Sequence, residues 1–502
     1  MRTLEILPIM VVFIFIAPCI SLFAQDSFDD FIKDQDKVFE QLQKESEKEF
    51  ERIQKVDAEF AEILSRAWKE LELNTGIDPD PTPKPEKIPV AKPSEVPEPT
   101  PPPEEPEEVK PEVEPKITPP ESPKPKVEIK QIQVPAKEGE PLSVEFFDTR
   151  LRVYFDKRLK QSIGETISES TISKFWETLS TCKYQPLVQQ VIDLKERLGL
   201  NDWGYCILLD AVSEGIYGQL ANERLLFSWF MLVKSGYNAR VGFYGRDVYL
   251  LLPSLNTVFG TPYYVLDNKN FFLTFLGTPK RELKSLYTYE GSYQDAQKLI
   301  DFNMYRSLDI SKSASQKKFT FTYKNKTYNL SLNVNKNMIN FFESYPQTNL
   351  NVYFRAAMSS EIAHSLLEGL RPIIKDKSES EAVNILLRFV QSAFAYKTDD
   401  SQFGEEKYLF SEETLFYPYS DCEDRSILFS FLVKNLLGLE VIGLDYPGHI
   451  ATAVYFNTNV DGDSIHYNNK KYIICDPTYL YADYGECMPK FKNVTPEIIT
   501  MN

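Results

Sequence analysis

A cysteine, a histidine and an aspartate follow one another near the C-terminus, each at what reads as the end of an element. Cys422 lies in Tyr-Ser-Asp-Cys-Glu-Asp-Arg-Ser (419–426), His449 in Tyr-Pro-Gly-His-Ile-Ala-Thr-Ala-Val (446–454) and Asp476 in Lys-Tyr-Ile-Ile-Cys-Asp-Pro-Thr-Tyr (471–479). Such a set supports nucleophilic chemistry: a thiolate attacks a carbonyl, an imidazole moves the proton and a carboxylate holds the ring's tautomer. The chain of 502 residues has only three histidines, so a general base has few places to be. His364 falls on a helical stretch before the site, and His466 falls in the polar run Asp461-Gly-Asp-Ser-Ile-His-Tyr, where a solvated role is expected. Taken singly, the three residues read as a small buried thiol, a loop hydrogen bonder and a turn-starting Asp-Pro. Their joint order and placement carry the catalytic reading.

The elements that must position them are legible nearby. Residues 426–437 are apolar nearly all round, which predicts a buried helix ended by Gly438. Ser420 and Asp421 supply cap chemistry, so Cys422 sits in the first turn, where free N–H groups and the macrodipole should lower a thiol's pKa. Asp421, Glu423 and Asp424 oppose this unless they pair or turn away, and Arg425 could offset one of them. The Cys422 N–H is one candidate oxyanion donor, with Tyr417 or Tyr419 as the second. Residues 450–456 and 472–475 read as strands, and as neighbours they would set His449 beside Asp476. No metal or other cofactor is expected, since the Cys and His spacings match no common zinc site; Asp461-Gly-Asp463 reads as a turn.

These pieces resemble the transglutaminase-like superfamily, which has a papain-like fold. The matching segments are the helix ending Arg-Phe-Val-Gln-Ser-Ala-Phe-Ala-Tyr396, Glu413-Thr-Leu, Asp-Cys-Glu-Asp (421–424), Gly-His (448–449) and Asp-Pro-Thr-Tyr (476–479), within residues 380–489. The resemblance implies an α+β core in which a helix bearing Cys422 packs on an antiparallel sheet bearing His449 and Asp476. It also implies acyl-enzyme chemistry on peptide or protein amides. Water would take the acyl group in a peptidase or amidase, and an amine would take it in an isopeptide-forming acyltransferase. Bacterial members are often exported and often look like peptidases. Asp421 stands where the family pattern has Gly, which leaves the loop there open.

Around this core the chain divides by composition. Residues 1–24 read as a signal peptide, apolar from Ile6 to Phe23 and followed by Gln25, which predicts export to a periplasm or the cell exterior. A retained anchor is the competing reading. The net charge of −17 argues against nucleic-acid binding. With Cys19 removed, Cys182, Cys206, Cys422, Cys475 and Cys487 remain; an odd count predicts a free nucleophile and up to two disulfides among the others. Residues 25–76 read as one long amphipathic helix. Over 26–73 a heptad-like stripe runs through Phe28, Ile32, Phe39, Leu42, Ile53, Val56, Phe60, Ile63 and Ala67. That stripe would take a second copy or an envelope partner, or pack on the globular part. Residues 77–130 are a Pro/Glu/Lys tract expected to be an extended spacer.

Residues 131–302 are expected to be a degenerate copy of the domain at 351–502, joined by a module at 303–350 that holds a β-hairpin over 317–335. Arg224–Gly236 lies over Ser426–Gly438 without a gap, and Tyr-Tyr-Val-Leu-Asp267 resembles Tyr-Ile-Ile-Cys-Asp476. In this register Leu220 stands at the place of Cys422 and Asp247 at that of His449. The competing functional class is a non-catalytic tether built from helix, spacer and two recognition domains.

Overall fold

The computed structural model describes residues 24–79, 82, 84–91, 130–133, 138–274, 276 and 283–501. The expected signal peptide, with Cys19, lies outside them except for Ala24. Two compact units are present, residues 1–59 and 60–502. The described residues of the first belong to the helix Ala24–Ser65, whose last six residues fall in the second unit. Leu42 of the apolar stripe is 51% exposed, and Val38 and Phe50, off the stripe, are 52% exposed each. Among the described residues no helix is long and apolar enough to cross a membrane.

The helix stops short of the expected residue 76 because the hydrophobic period changes. Glu70-Leu71-Glu72-Leu73 alternates, and Lys69–Glu72 is a strand. Leu71 and Leu73 pack against Tyr249, Leu251 and Phe271. Just before the break, Phe60 sits edge-on to Trp176, Tyr289 and Tyr293, with ring centroids 4.7–5.5 Å away.

The second unit is α+β and contains two antiparallel sheets of matching topology. One has five strands in the order Ser464–Tyr467, Lys470–Cys475, His449–Tyr455, Glu440–Tyr446, Glu497–Ile499. The other runs Tyr263–Leu266, Lys269–Thr274, Asp247–Pro253, Arg240–Tyr244, Ser285–Thr288, and adds Lys69–Glu72 at its edge. A buried helix precedes each sheet, Cys422–Leu437 in one case and Ala221–Lys234 in the other.

The likeness extends upstream. Glu140–Phe146 and Thr149–Phe155 form a hairpin, as do Ala314–Tyr323 and Lys326–Asn335. Both turn on two residues of positive φ, Phe147-Asp148 (46° and 57°) and Lys324-Asn325 (46° and 61°), the geometry that suits the twist of paired strands. The second hairpin is not a separate connector: Phe319 and Phe321 pack against Phe389 of the helix Glu379–Ser392, at 6.2 and 5.3 Å. The first packs likewise on the helix Asp202–Tyr217, where a Cβ on Gly215 would come within 3.0 Å of Leu142.

The register of the two halves agrees with one part of the sequence alignment and corrects another. Asp247 pairs with Tyr244 as His449 pairs with Tyr446, so the two residues hold equivalent places. Leu220 caps the helix Ala221–Lys234 and is 49% exposed. Asp267 is not the counterpart of Asp476. It sits in the hairpin turn at φ 51°, as Asn468 does at 47°. Leu250 pairs with Thr274 as Thr452 pairs with Cys475, so Thr274 is the counterpart of Cys475 and Asp267 lies seven residues before it. The matched pentapeptides shared only the apolar composition of any buried strand.

Two further expectations are overturned. The tract at 77–130 is not a free spacer throughout. Ile77 bridges Phe259, and residues 89–91 pair with Leu480 through its N–H to the Pro89 carbonyl and its carbonyl to the Ala91 N–H, both 2.9 Å. Proline lacks a donor but its carbonyl still accepts, so an edge pairing survives. All five remaining cysteines, Cys182, Cys206, Cys422, Cys475 and Cys487, are buried free thiols, so none is in a disulfide.

Candidate active site

Cys422 is the first residue of its helix, with Asp421 as N-cap and Gly438, at φ 68°, as the left-handed residue that ends it. Asp424 ties this start down: its carboxylate accepts from the N–H of Asp421 at 3.2 Å and of Leu409 at 3.0 Å. Ser426, one turn on, is small enough to bring the helix against the strand His449–Tyr455. Its hydroxyl donates to the Ile450 carbonyl at 3.1 Å. Cys422 and His449 therefore lie at the starts of two elements in direct contact.

His449 leads its strand after the Pro447-Gly448 turn. Phe491 stacks on its ring at 5.2 Å and 8°, which fixes the ring plane. Nε2 lies 2.9 Å from Asp476 Oδ2. The other carboxylate oxygen, Oδ1, accepts from the N–H of Thr478 at 2.9 Å and of Tyr479 at 3.0 Å, so Oδ2 is left for the ring. Gln391 clamps this loop from the helix Glu379–Ser392. Its Nε2 donates to the carbonyls of Asp476, Tyr479 and Ala482 at 3.0–3.1 Å, and its Oε1 accepts from the Tyr481 N–H at 3.2 Å. Cys422, His449 and Asp476 are 1%, 1% and 2% exposed. The rivals His364 and His466 are both exposed.

The electrostatics differ from the sequence expectation. Burial pushes the Cys422 thiol well above its ordinary value, and Glu423 and Asp421 add to the shift. The thiol donates to Glu423 Oε2 at 2.9 Å. A helix end offers about half a charge, which does not outweigh full enclosure beside carboxylates. Arg425 does not neutralise them by direct pairing. Its donors go to Ser420 Oγ and to the carbonyls of Gln391 and Phe394, at 3.1, 3.2 and 2.9 Å.

The counter-charge comes instead from Lys84, in the proline-rich tract. Its side chain is 5% exposed, and its ammonium lies 2.9 Å from Asp421 Oδ2, 3.6 Å from Asp399 and in contact with Glu406 and Glu423. Burial alone would lower the Lys84 pKa, but Glu423 and Asp421 reverse the sign and hold it charged. Burial raises Asp399, Asp424 and Asp421, the last to about 7. Oxygens of Asp399, Asp421 and Asp424 fall within 4.8 Å of one another, a donor set suited to a hard cation, and the Lys84 ammonium supplies positive charge to it.

Neither proposed oxyanion tyrosine is brought to the thiol by its hydrogen bonds or ring contacts. Tyr417 donates to Glu343 at 2.9 Å, and Tyr419 pairs with Ala395 and holds the Lys397 ammonium over its ring. Tyr396 stands closer to the chemistry. After burial, Cys422 is the largest influence raising its hydroxyl, which donates to the Pro85 carbonyl at 2.7 Å. Its place at the end of the helix segment quoted above was the available signal. A cavity of about 1070 Å³ opens between the two halves, lined by Trp203, Phe259, Phe302, Lys407, Tyr417 and by Glu406, which also binds Lys84.

Glu413 gives this region a pH signature. Burial raises it from 4.5 to about 7, against the opposing pull of Lys407. A raised carboxylate favours the folded state while protonated, so its contribution is full below pH 4.5 and is lost as pH rises through 7. Over that window it should remove up to about 3 kcal/mol of stability. Urea unfolding of Glu413→Gln is expected to show a correspondingly flatter decline between pH 5 and 8 than the wild type.

Comparisons of the chain with protein-family models, with curated proteins and with solved structures return no match.

Proposed function

We propose that the protein is a cysteine amidohydrolase or peptidase of the transglutaminase-like, papain-like class, acting on peptide or protein amides. The observation that carries this reading is the His449–Asp476 hydrogen bond, held beside a helix whose first residue is Cys422. In the reaction, His449 accepts the Cys422 thiol proton at the ring nitrogen not engaged by Asp476. The thiolate adds to the amide carbonyl, with the Cys422 N–H as an oxyanion donor. The C–N bond breaks as His449 returns the proton to the leaving amine. Water then gives a proton to His449 and attacks the thioester, releasing the acid and the thiol. An amine in place of water would make the same site an acyltransferase.

The first half of the second unit is read as a copy without this chemistry, with Leu220 and Asp247 at the places of Cys422 and His449. The apolar run from Ile6 to Phe23, read as a leader, would direct export, and the exposed part of the N-terminal helix would serve self-association or an envelope partner. A non-catalytic binding role is favoured by one observation, the enclosure of Cys422 with its thiol donating to Glu423.

Digestion of a peptide library by wild type and by Cys422→Ala, with products read by mass spectrometry, separates these. Cleavage that gains one water per scissile amide and vanishes in the alanine variant is expected. Equal cleavage by both proteins, or none by either, would remove the catalytic reading.

A further inference from the structure

Residues 84–91 of the proline-rich tract lie against the elements that carry Cys422 and Asp476, and taking their path as a substrate's rests on the amidohydrolase reading. At one end Lys84 is buried beside the residues that flank Cys422. Next to it the Pro85 carbonyl accepts from Tyr396, whose hydroxyl feels the thiol. At the other end, residues 89–91 form a β-bridge to Leu480, just past Asp476. The segment thus runs from the nucleophile's helix to the loop of the third triad residue. An extended peptide held by main-chain pairing, with specificity from a side-chain pocket, is a general mode of peptide recognition.

The pocket itself is built for a cation. Asp399, Asp421 and Glu423 are each nearly fully buried, Glu406 closes the side, and one ammonium serves all four. Asp421 Oδ1 is enclosed without a hydrogen-bond partner, a spare acceptor beside the ammonium. Buried carboxylates left without a cation are costly, so the pocket selects for an occupant that brings one.

We propose that residues 84–91 are an internal ligand in the peptide-binding groove of the Cys422 site, and that the acidic pocket around Lys84 takes the lysine side chain of an extended peptide substrate in its place. Tethering gives the internal segment a high effective concentration, so a substrate must displace it and the resting protein is closed. The enclosed thiol, 1% exposed, is what a closed site would show.

The test is fluorescence anisotropy with a labelled peptide of residues 82–91 and its counterpart with glutamine for Lys84, added to the full chain. The lysine peptide is expected to bind Lys84→Ala at least about tenfold more tightly than wild type, and the glutamine peptide is expected to fail. Ala91→Pro removes the N–H given to Leu480 without changing charge. It should also bind the lysine peptide better than wild type, and it carries the test if Lys84→Ala does not fold. Equal affinity in all three proteins, or equal binding of both peptides, would overturn the proposal. Because binding is read without turnover, the two readings fail separately. Displacement in a protein that hydrolyses nothing removes only the amidase, whereas hydrolysis by a protein whose segment cannot be displaced removes only the internal ligand.

Discussion

Arg425→Leu is expected to lower the unfolding free energy by about 3–5 kcal/mol, read from urea unfolding at neutral pH. The guanidinium is fully buried, and burial lowers its pKa to about 10. Its donors reach Ser420 two residues before Cys422, Gln391 on the helix that clamps Asp476, and Phe394 just beyond that helix. Leucine leaves two enclosed carbonyls and a hydroxyl without donors. It also removes a positive charge that helps balance Asp421 and Asp424. Arg425→Lys should recover only part of the loss, because a single ammonium cannot span acceptors set out for a planar fork. A loss below about 1 kcal/mol for leucine would mean that these contacts do not hold the two helices together.

What could be read from the sequence follows the range of the interactions involved. The hairpin over 317–335 and the helix ended by Gly438 rest on local periodicity and turn chemistry, and both form. The meeting of His449 and Asp476 follows from two strands whose alternation and ends are visible in one short stretch. The Cys422 thiol was misjudged because local sequence shows the helix end but not the enclosure above it. Lys84 was invisible for a different reason: its contact with Asp421 spans 337 residues, and it lies in a tract whose composition reads as solvated. The likeness of the two halves showed in the sequence mainly through one apolar helix, since the sheets share strand order and register rather than residues. Asp247 was placed by that register, whereas Asp267 was matched on composition and fell in a turn.

Asp476→Asn is expected to lower amide hydrolysis by on the order of a thousandfold or more, with little change in melting temperature. The reason lies in how the carboxylate is held. Oδ1 accepts two backbone N–H groups, from Thr478 and Tyr479, so an asparagine must keep its oxygen there. Its NH₂ group then points to where Oδ2 met His449 Nε2 at 2.9 Å. A donor in that place requires Nε2 to accept, which puts the ring proton on Nδ1 and leaves no base for the thiol. Alanine removes the acceptor without imposing the wrong tautomer, so Asp476→Ala should be no more damaging to turnover than the asparagine, though less stable because both N–H groups lose their partner. Gln391→Ala, which frees the loop but leaves the carboxylate, should cost less than either. The kcat/KM values of the three variants on one cleaved peptide, set beside their melting temperatures, check this order. An asparagine variant within tenfold of wild type would mean that the His449–Asp476 pair positions a loop and does not serve a reaction.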